Sequence, residues 1–137
     1  MSSAPFFFVE SLHPPLGAEG VRDLRDSLLE KALQAGVTEE QAWKLAAAAD
    51  ELVCNLEEHG NAGSLGLSAE LTEGHEPLRL RIRDNGQGFN LVRAAAMAEG
   101  PTGRQERGLG LWMVRQATRS LSQERTAAGE NETVLEF

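Results

Sequence analysis

A single cysteine, Cys54, in 137 residues rules out an internal disulfide and suits an intracellular setting. Basic residues are the scarce charge: 13 Lys and Arg stand against 21 Asp and Glu, a net charge of -8. That balance argues against a phosphate-backbone partner, whose affinity comes from Lys and Arg releasing counterions, and against an anionic membrane surface. No window approaches the ~20 apolar residues of a membrane span. The start, Met1 to Val9, has no basic region and too short an apolar run for a secretion signal. A cytoplasmic protein is expected.

Several chemistries are missing as well. No G-x-x-x-x-G-K-[ST] occurs, and no glycine pair completes G-x-G-x-x-G after a strand. One Cys and three scattered His offer no metal-ligand spacing, and no serine stands in G-x-S-x-G. With hydrophobic residues at 41%, the chain nevertheless has the apolar content of one folded domain, expected over 1–137.

The hydrophobic pattern orders the elements. Phe6 to Val9 reads as an edge strand. Val21, Leu24, Leu28 and Ala32 recur at helical spacing, and Gly36 ends that helix. Thr38-Glu39-Glu40-Gln41 is a capping box opening a second helix, with Ala42, Leu45, Ala49, Leu52, Val53 and Leu56 inward, to near Gly60. Leu65, Leu67, Ala69 and Leu71 alternate, as do Leu78, Leu80 and Ile82, with Arg79, Arg81 and Arg83 on the opposite face; 73–77 forms their hairpin loop.

A short helix is expected from Leu91 to Met97, within a lid segment running to Arg107. Leu109, Trp112, Met113, Ala117 and Leu121 restore helical spacing, and strands near 122–126 and 133–137 close the chain. Trp43 and Trp112 are read as core. The order predicts an α+β fold, a two-layer sandwich of a mixed, mostly antiparallel sheet with helices on one face.

Three motifs carry chemistry. Glu51 and Asn55 lie four apart on the second helix, so they share a face, roughly 40° apart around the axis and roughly 6 Å along it. An amide oxygen suits Mg²⁺ and a carboxylate can take a proton from a nearby hydroxyl; taken alone, the pair fits a solvated polar face as well. His59 follows one turn later. Asp84 ends a strand ahead of Gly86 and Gly88, which allow positive φ and close approach. Its carboxylate can accept from an adenine amino group and would reject a carbonyl there, though an Asp-Asn-Gly turn is common without a ligand. Gly108-Leu109-Gly110 opens a helix whose free N–H groups can seat phosphate; a glycine hinge fits equally. Arg104 and Arg107 lie just upstream, as phosphate partners or as solvated loop charges.

The joint pattern resembles the Bergerat-fold ATPases: E-x-x-x-N with a His four beyond (Glu51, Asn55, His59), D-x-G-x-G-F (Asp84, Gly86, Gly88, Phe89), then Gly108-Leu109-Gly110-Leu111 about twenty residues on. Within that superfamily the chain looks most like the small anti-sigma factor serine/threonine kinases, departing from them at Leu56-Glu57-Glu58, where small or apolar residues are expected. The resemblance covers nearly the whole chain. It implies ATP and Mg²⁺ as cofactors, Glu51 as general base, Asn55 as magnesium ligand, and Asp84 on the adenine with Gly86 and Gly88 shaping the pocket. It implies Gly108, Leu109 and Gly110 around the phosphates, with Arg104 or Arg107 near. The implied partner is an anti-anti-sigma (STAS-type) protein, with a sigma factor as a further partner and a homodimer as the assembly. Two other readings stand beside it: a nucleotide-gated binding module without phosphotransfer, and a detached histidine-kinase ATP-binding domain.

Overall fold

The computed structural model describes residues 6–60, 63–71, 78–86, 91–98 and 109–137. Strand β1 (Phe6–Leu12) leads into helices α1 (Gly17–Gln34) and α2 (Glu39–Asn55), and α2 runs on into a π-helical turn, Leu56–Gly60. Strands β2 (Leu65–Leu71) and β3 (Leu78–Asp84) follow, then helices α3 (Leu91–Met97) and α4 (Leu109–Ala117) and strands β4 (Ser120–Arg125) and β5 (Asn131–Glu136). The sheet order is β1-β2-β3-β5-β4, every described pairing is antiparallel, and β1 is an edge strand as expected. This is the α+β, two-layer architecture that the alternation and spacing predict.

Parity along the strands decides what each sheet face carries. Leu65, Leu67 and Ala69 of β2 and Leu78, Leu80 and Ile82 of β3 are buried against Leu28, Leu45 and Leu52 of the helices. The opposite face holds an ion-pair ladder. Arg79 bonds Glu136 at 2.6 Å and Glu70 at 3.3 Å, Arg81 reaches Glu70 at 3.4 Å, and Arg83 reaches Glu132 at 2.7 Å. Arg79 is directly opposite both Glu70 and Glu136 in register, so cross-strand pairing brings these charges together.

The helix ends follow their residues. Gly36 takes φ 91°, its N–H bonds Leu33 O, and the Val37 N–H returns to Ala32 O, a Schellman ending. The Thr38 hydroxyl accepts from the Gln41 N–H at 3.3 Å. Only that half of the capping box is present among the described contacts, because Gln41 Oε1 is buried without a partner.

Three expectations need correction. Trp43 is 51% exposed and Met113 57% exposed, while Trp112 is only partly buried. Helix α4 buries Leu111 and Val114 instead, and Leu121 belongs to β4. The apolar residues of α4 outnumber those that its neighbours can cover, and contact with α2 selects the stripe through Gly110 and Val114. Both closing strands begin two residues earlier than expected, because β4 pairs with β5 from Ser120↔Glu136 to Arg125↔Asn131. The hairpin loop read over 73–77 lies outside the described residues.

The π-helical turn gives Glu57 its place. Its Oε2 accepts the backbone N–H of Leu16, the N-cap of α1, at 2.9 Å, and α1 has no capping bond from its own N-cap side chain. A carboxylate at a helix start meets both an orphan donor and the positive end of the dipole. The acid that departs from the family pattern therefore joins α1 to the end of α2. Replacing Glu57 by Ala should lower stability by about 0.5–2 kcal/mol, the usual cost of a lost N-terminal cap. Glu57→Gln, which keeps an acceptor, should lose less. Urea denaturation of the two variants decides, and equal midpoints for wild type and Glu57→Ala would exclude the capping role.

Candidate functional site

Helix α2 brings Glu51 and Asn55 together. Asn55 Nδ2 donates to the Glu51 backbone carbonyl at 2.8 Å and to Glu51 Oε1 at 3.4 Å, so neither bond uses the carbonyl end of the amide. Across from them, α4 presents Gly110. A Cβ built on Gly110 would overlap the Glu51 carboxylate, so this position must be glycine for Glu51 to lie where it does. The first and third motifs thus meet in space, the acid of one resting on the backbone of the other.

Glu51 is half-buried, and its carboxyl titrates above the ordinary range of a glutamate. Burial is the main cause; the Asn55 bond opposes it, while the negative charges of Asp50 and Glu58 reinforce it. Asp50 is in turn paired with Arg25 of α1 at 3.3 Å. A cavity of about 520 Å³ adjoins this group between α2 and α4, with Glu51, Gly110 and Val114 in its wall and Trp43 and Met113 among its exposed lining. Cys54 has none of the surroundings that activate a thiol: burial, then the charge of Asp50 and its bond to the thiol, push it up to about 11. His59 lies 3.6 Å from Glu58, consistent with a local partner at the helix end.

The second motif is built by strand parity. Asp84 continues the inward row Leu78, Leu80, Ile82, so its carboxylate faces the helices and is 1% exposed. Gly86 is buried, and its N–H donates to Asp84 Oδ1 at 2.9 Å; Asn131 Nδ2 donates to the same oxygen at 3.1 Å. Asp84 Oδ2 is buried with no partner. Thr133, next to Asn131 in the inward row of β5, is fully buried with its hydroxyl likewise unpaired. Asn85 Oδ1 accepts from the N–H groups of Gly63 and Ser64 at 2.8 and 3.0 Å, fastening the chain after the π-helical turn to the end of β3.

Asp84 Oδ2 and Thr133 Oγ1 are thus two buried unpaired polar atoms on the same inward face of adjacent strands, and such groups call for a partner. A family model for the histidine kinase-like ATPase domain matches residues 15–137. The chain belongs to that family. No curated protein matches it. Among solved structures, the SiaB-SiaC complex from Pseudomonas aeruginosa is similar with TM-score 0.70 and 14% identity, over 98% of this chain and 90% of that one. The RsbU and RsbW domains of a Mycobacterium tuberculosis protein are similar with TM-score 0.62 and 20% identity, over 94% of this chain and 32% of that one.

Of the candidate site residues, Glu51, Asn55, Asp84 and Gly86 are among the described residues, and Leu109 and Gly110 lie in the first turn of α4. Gly88, Arg104, Arg107 and Gly108 lie outside the described residues. Helix α3, at the start of the expected lid, is docked: Ala95 is buried, and Arg115 of α4 donates to the carbonyls of Ala95 and Ala96 at 3.0 and 2.8 Å. The sequence reading missed Thr133 and Asn131. Their signal was parity, since both share the inward phase of Leu135.

The charge on Glu51 has a sign that stability can test. A carboxyl whose folded pKa is raised holds its proton more tightly when folded, so the ionised form costs stability at neutral pH. Glu51→Gln should therefore raise the thermal midpoint of the nucleotide-free protein at pH 7. The gap should close as pH falls through the raised pKa toward the ordinary glutamate value of about 4.3. A gap that widens on acidification would contradict the desolvation of Glu51.

Proposed function

We propose that this ATPase domain is a protein serine/threonine kinase that uses ATP and Mg²⁺ to phosphorylate a hydroxyl of an anti-anti-sigma (STAS-type) partner. The observation that carries the reading is Glu51: a half-buried carboxylate with a raised pKa, held by Asn55 and resting on the first turn of α4. A nucleotide-gated binder needs no proton acceptor at that place. The likeness to the SiaB-SiaC complex, itself an assembly with a partner protein, is compatible with a protein substrate. Sequestration of a sigma factor and homodimerisation belong to the same reading through the family resemblance.

The donor set fits the nucleotide. Asp84 Oδ2 would accept the adenine amino group and Thr133 Oγ1 would supply a second polar contact to the ring, giving partners to two of the buried unpaired atoms. Gly86 would leave room for the base and the start of α4 at Leu109 and Gly110 would seat the phosphates; the family resemblance adds Gly88, Gly108 and Arg104 or Arg107 to that set. Asn55 Oδ1 would be the protein oxygen that holds Mg²⁺, a hard cation that is bound through few protein ligands together with substrate phosphates. The metal's contribution is to neutralise charge on the phosphate oxygens.

Glu51 works as the base. The acceptor oxygen bonds to the γ-phosphorus, its proton passes to Glu51, and the bond from that phosphorus to the β-γ bridging oxygen breaks, leaving ADP. A raised pKa makes Glu51 a better proton acceptor than an exposed carboxylate.

Labelled ATP and candidate STAS-type proteins test the reading. Glu51→Gln should reduce transfer by about 10²–10⁴-fold with little change in ATP affinity. Label on the partner should survive acid, as phosphoserine does and phosphohistidine does not. Near-normal transfer by the variant would remove Glu51 as base, acid-labile label would favour the histidine-kinase reading, and no transfer by the wild type would favour the nucleotide-gated binder.

Two further variants separate the pocket's parts. Asp84→Asn should cost about 1.5–3 kcal/mol of ATP binding, the scale of a hydrogen bond to a charged group. Asn55→Ala should remove the magnesium enhancement of nucleotide binding. Calorimetric titration with and without Mg²⁺ reads both, and full enhancement in Asn55→Ala would put the metal elsewhere.

A further inference from the structure

Three residues stand in one row across the end of the sheet. Asn131 of β5 is directly opposite Asp84 of β3 on one side and Arg125 of β4 on the other. Arg125 Nη1 donates to Asn131 Oδ1 at 3.1 Å, and Asn131 Nδ2 donates to Asp84 Oδ1 at 3.1 Å and to the Gly86 carbonyl at 3.4 Å. Asn131 is 5% exposed, whereas Arg125 is exposed on the edge strand.

The direction of this chain is set by chemistry. A guanidinium only donates, so the amide oxygen of Asn131 must face Arg125, which turns its NH₂ toward Asp84. Turned the other way, the amide would set a carbonyl against a carboxylate oxygen and a guanidinium against an NH₂. With Asn131 so oriented, Asp84 Oδ1 takes two donors, from Gly86 and Asn131. The carboxylate cannot swing without breaking both, and Oδ2 remains the one unpaired oxygen, buried and fixed in direction.

We infer that Asn131 and Arg125 are positioning residues for base selectivity. They hold Asp84 so that one acceptor faces the purine 6-position, admitting a 6-amino group and rejecting a 6-oxo group. The inference rests on Asp84 as the adenine acceptor, and it assigns Arg125 an effect on the nucleotide that it does not touch. A site that leaves a buried acceptor unpaired against the wrong substrate discriminates strongly.

The test titrates ATP and inosine triphosphate, which carries a 6-oxo group, into wild type, Arg125→Met, Arg125→Lys and Asn131→Leu, with thermal melts to verify folding. Wild type should prefer ATP. Arg125→Met, an exposed substitution expected to fold, should reduce the ratio of ATP to inosine triphosphate affinity by about fivefold or more. Asn131→Leu should reduce it by about tenfold or more, the scale of a hydrogen bond to a charged group. Arg125→Lys, which keeps a donor, should return most of the wild-type ratio. A folded Arg125→Met with the wild-type ratio, or with both affinities reduced equally, would overturn the inference while leaving Asp84 in place. A wild type that binds both nucleotides alike would instead overturn the assignment of Asp84 itself.

Discussion

A carboxylate buried at the end of an apolar strand row is the constraint on which this end of the sheet depends. Taking Asp84 out of water costs several kcal/mol unless fixed donors replace the lost hydration. Two donors do so, the Gly86 N–H and Asn131 Nδ2, and both require their surroundings. Asn131 reaches Asp84 only when β5 lies beside β3 in the observed register, and Gly86 only when the chain turns immediately after the strand. A slip of one residue would turn Asp84 to the opposite face, toward the arginine ladder. Register, turn and buried carboxylate are therefore one problem with one solution.

Helix α2 is held with similar care around Glu51. Its inward stripe of alanines and leucines packs on the sheet, leaving Asp50, Glu51 and Asn55 off that stripe. Helix α1 grips it at two places: Arg25 pairs with Asp50 just before Glu51, and the Leu16 N–H bonds Glu57 just after Asn55. Ion pairs near the surface, such as the partly buried Arg25–Asp50, contribute about 0–1 kcal/mol, so packing supplies most of the stability and these contacts set the alignment. Glycine at position 110 then lets α4 approach until its backbone touches the Glu51 carboxylate. A raised pKa follows from the same closeness, because burial both positions the carboxylate and penalises its charge.

Much of the fold was legible in the sequence because the local pattern and the tertiary result agree. The spacing of Val21, Leu24, Leu28 and Ala32 led to a buried helical stripe, Gly36 to a positive-φ ending, and the Leu–Arg alternation of β3 to a core face and a charged face. Agreement failed where apolar residues exceeded what neighbours could cover. Trp43 and Met113 are of core type and sit at helical spacing, yet both are exposed beside the cavity next to Glu51.

The sequence by itself determined the element order, the two faces of the sheet, and the acid–amide pair on α2, because each follows from a period or a spacing of a few residues. It also carried the motif order by which the chain resembles the Bergerat-fold ATPases. Only the tertiary structure decided that Gly110 lies under Glu51, fifty-nine positions away, and that Asn131 and Arg125 line up with Asp84. It alone showed that Thr133 keeps an unpaired hydroxyl on the same face of the sheet, and that Glu57 caps a helix forty-one residues earlier. These are contacts between distant segments, set by strand register and helix packing, and no local period encodes which residue comes to face which.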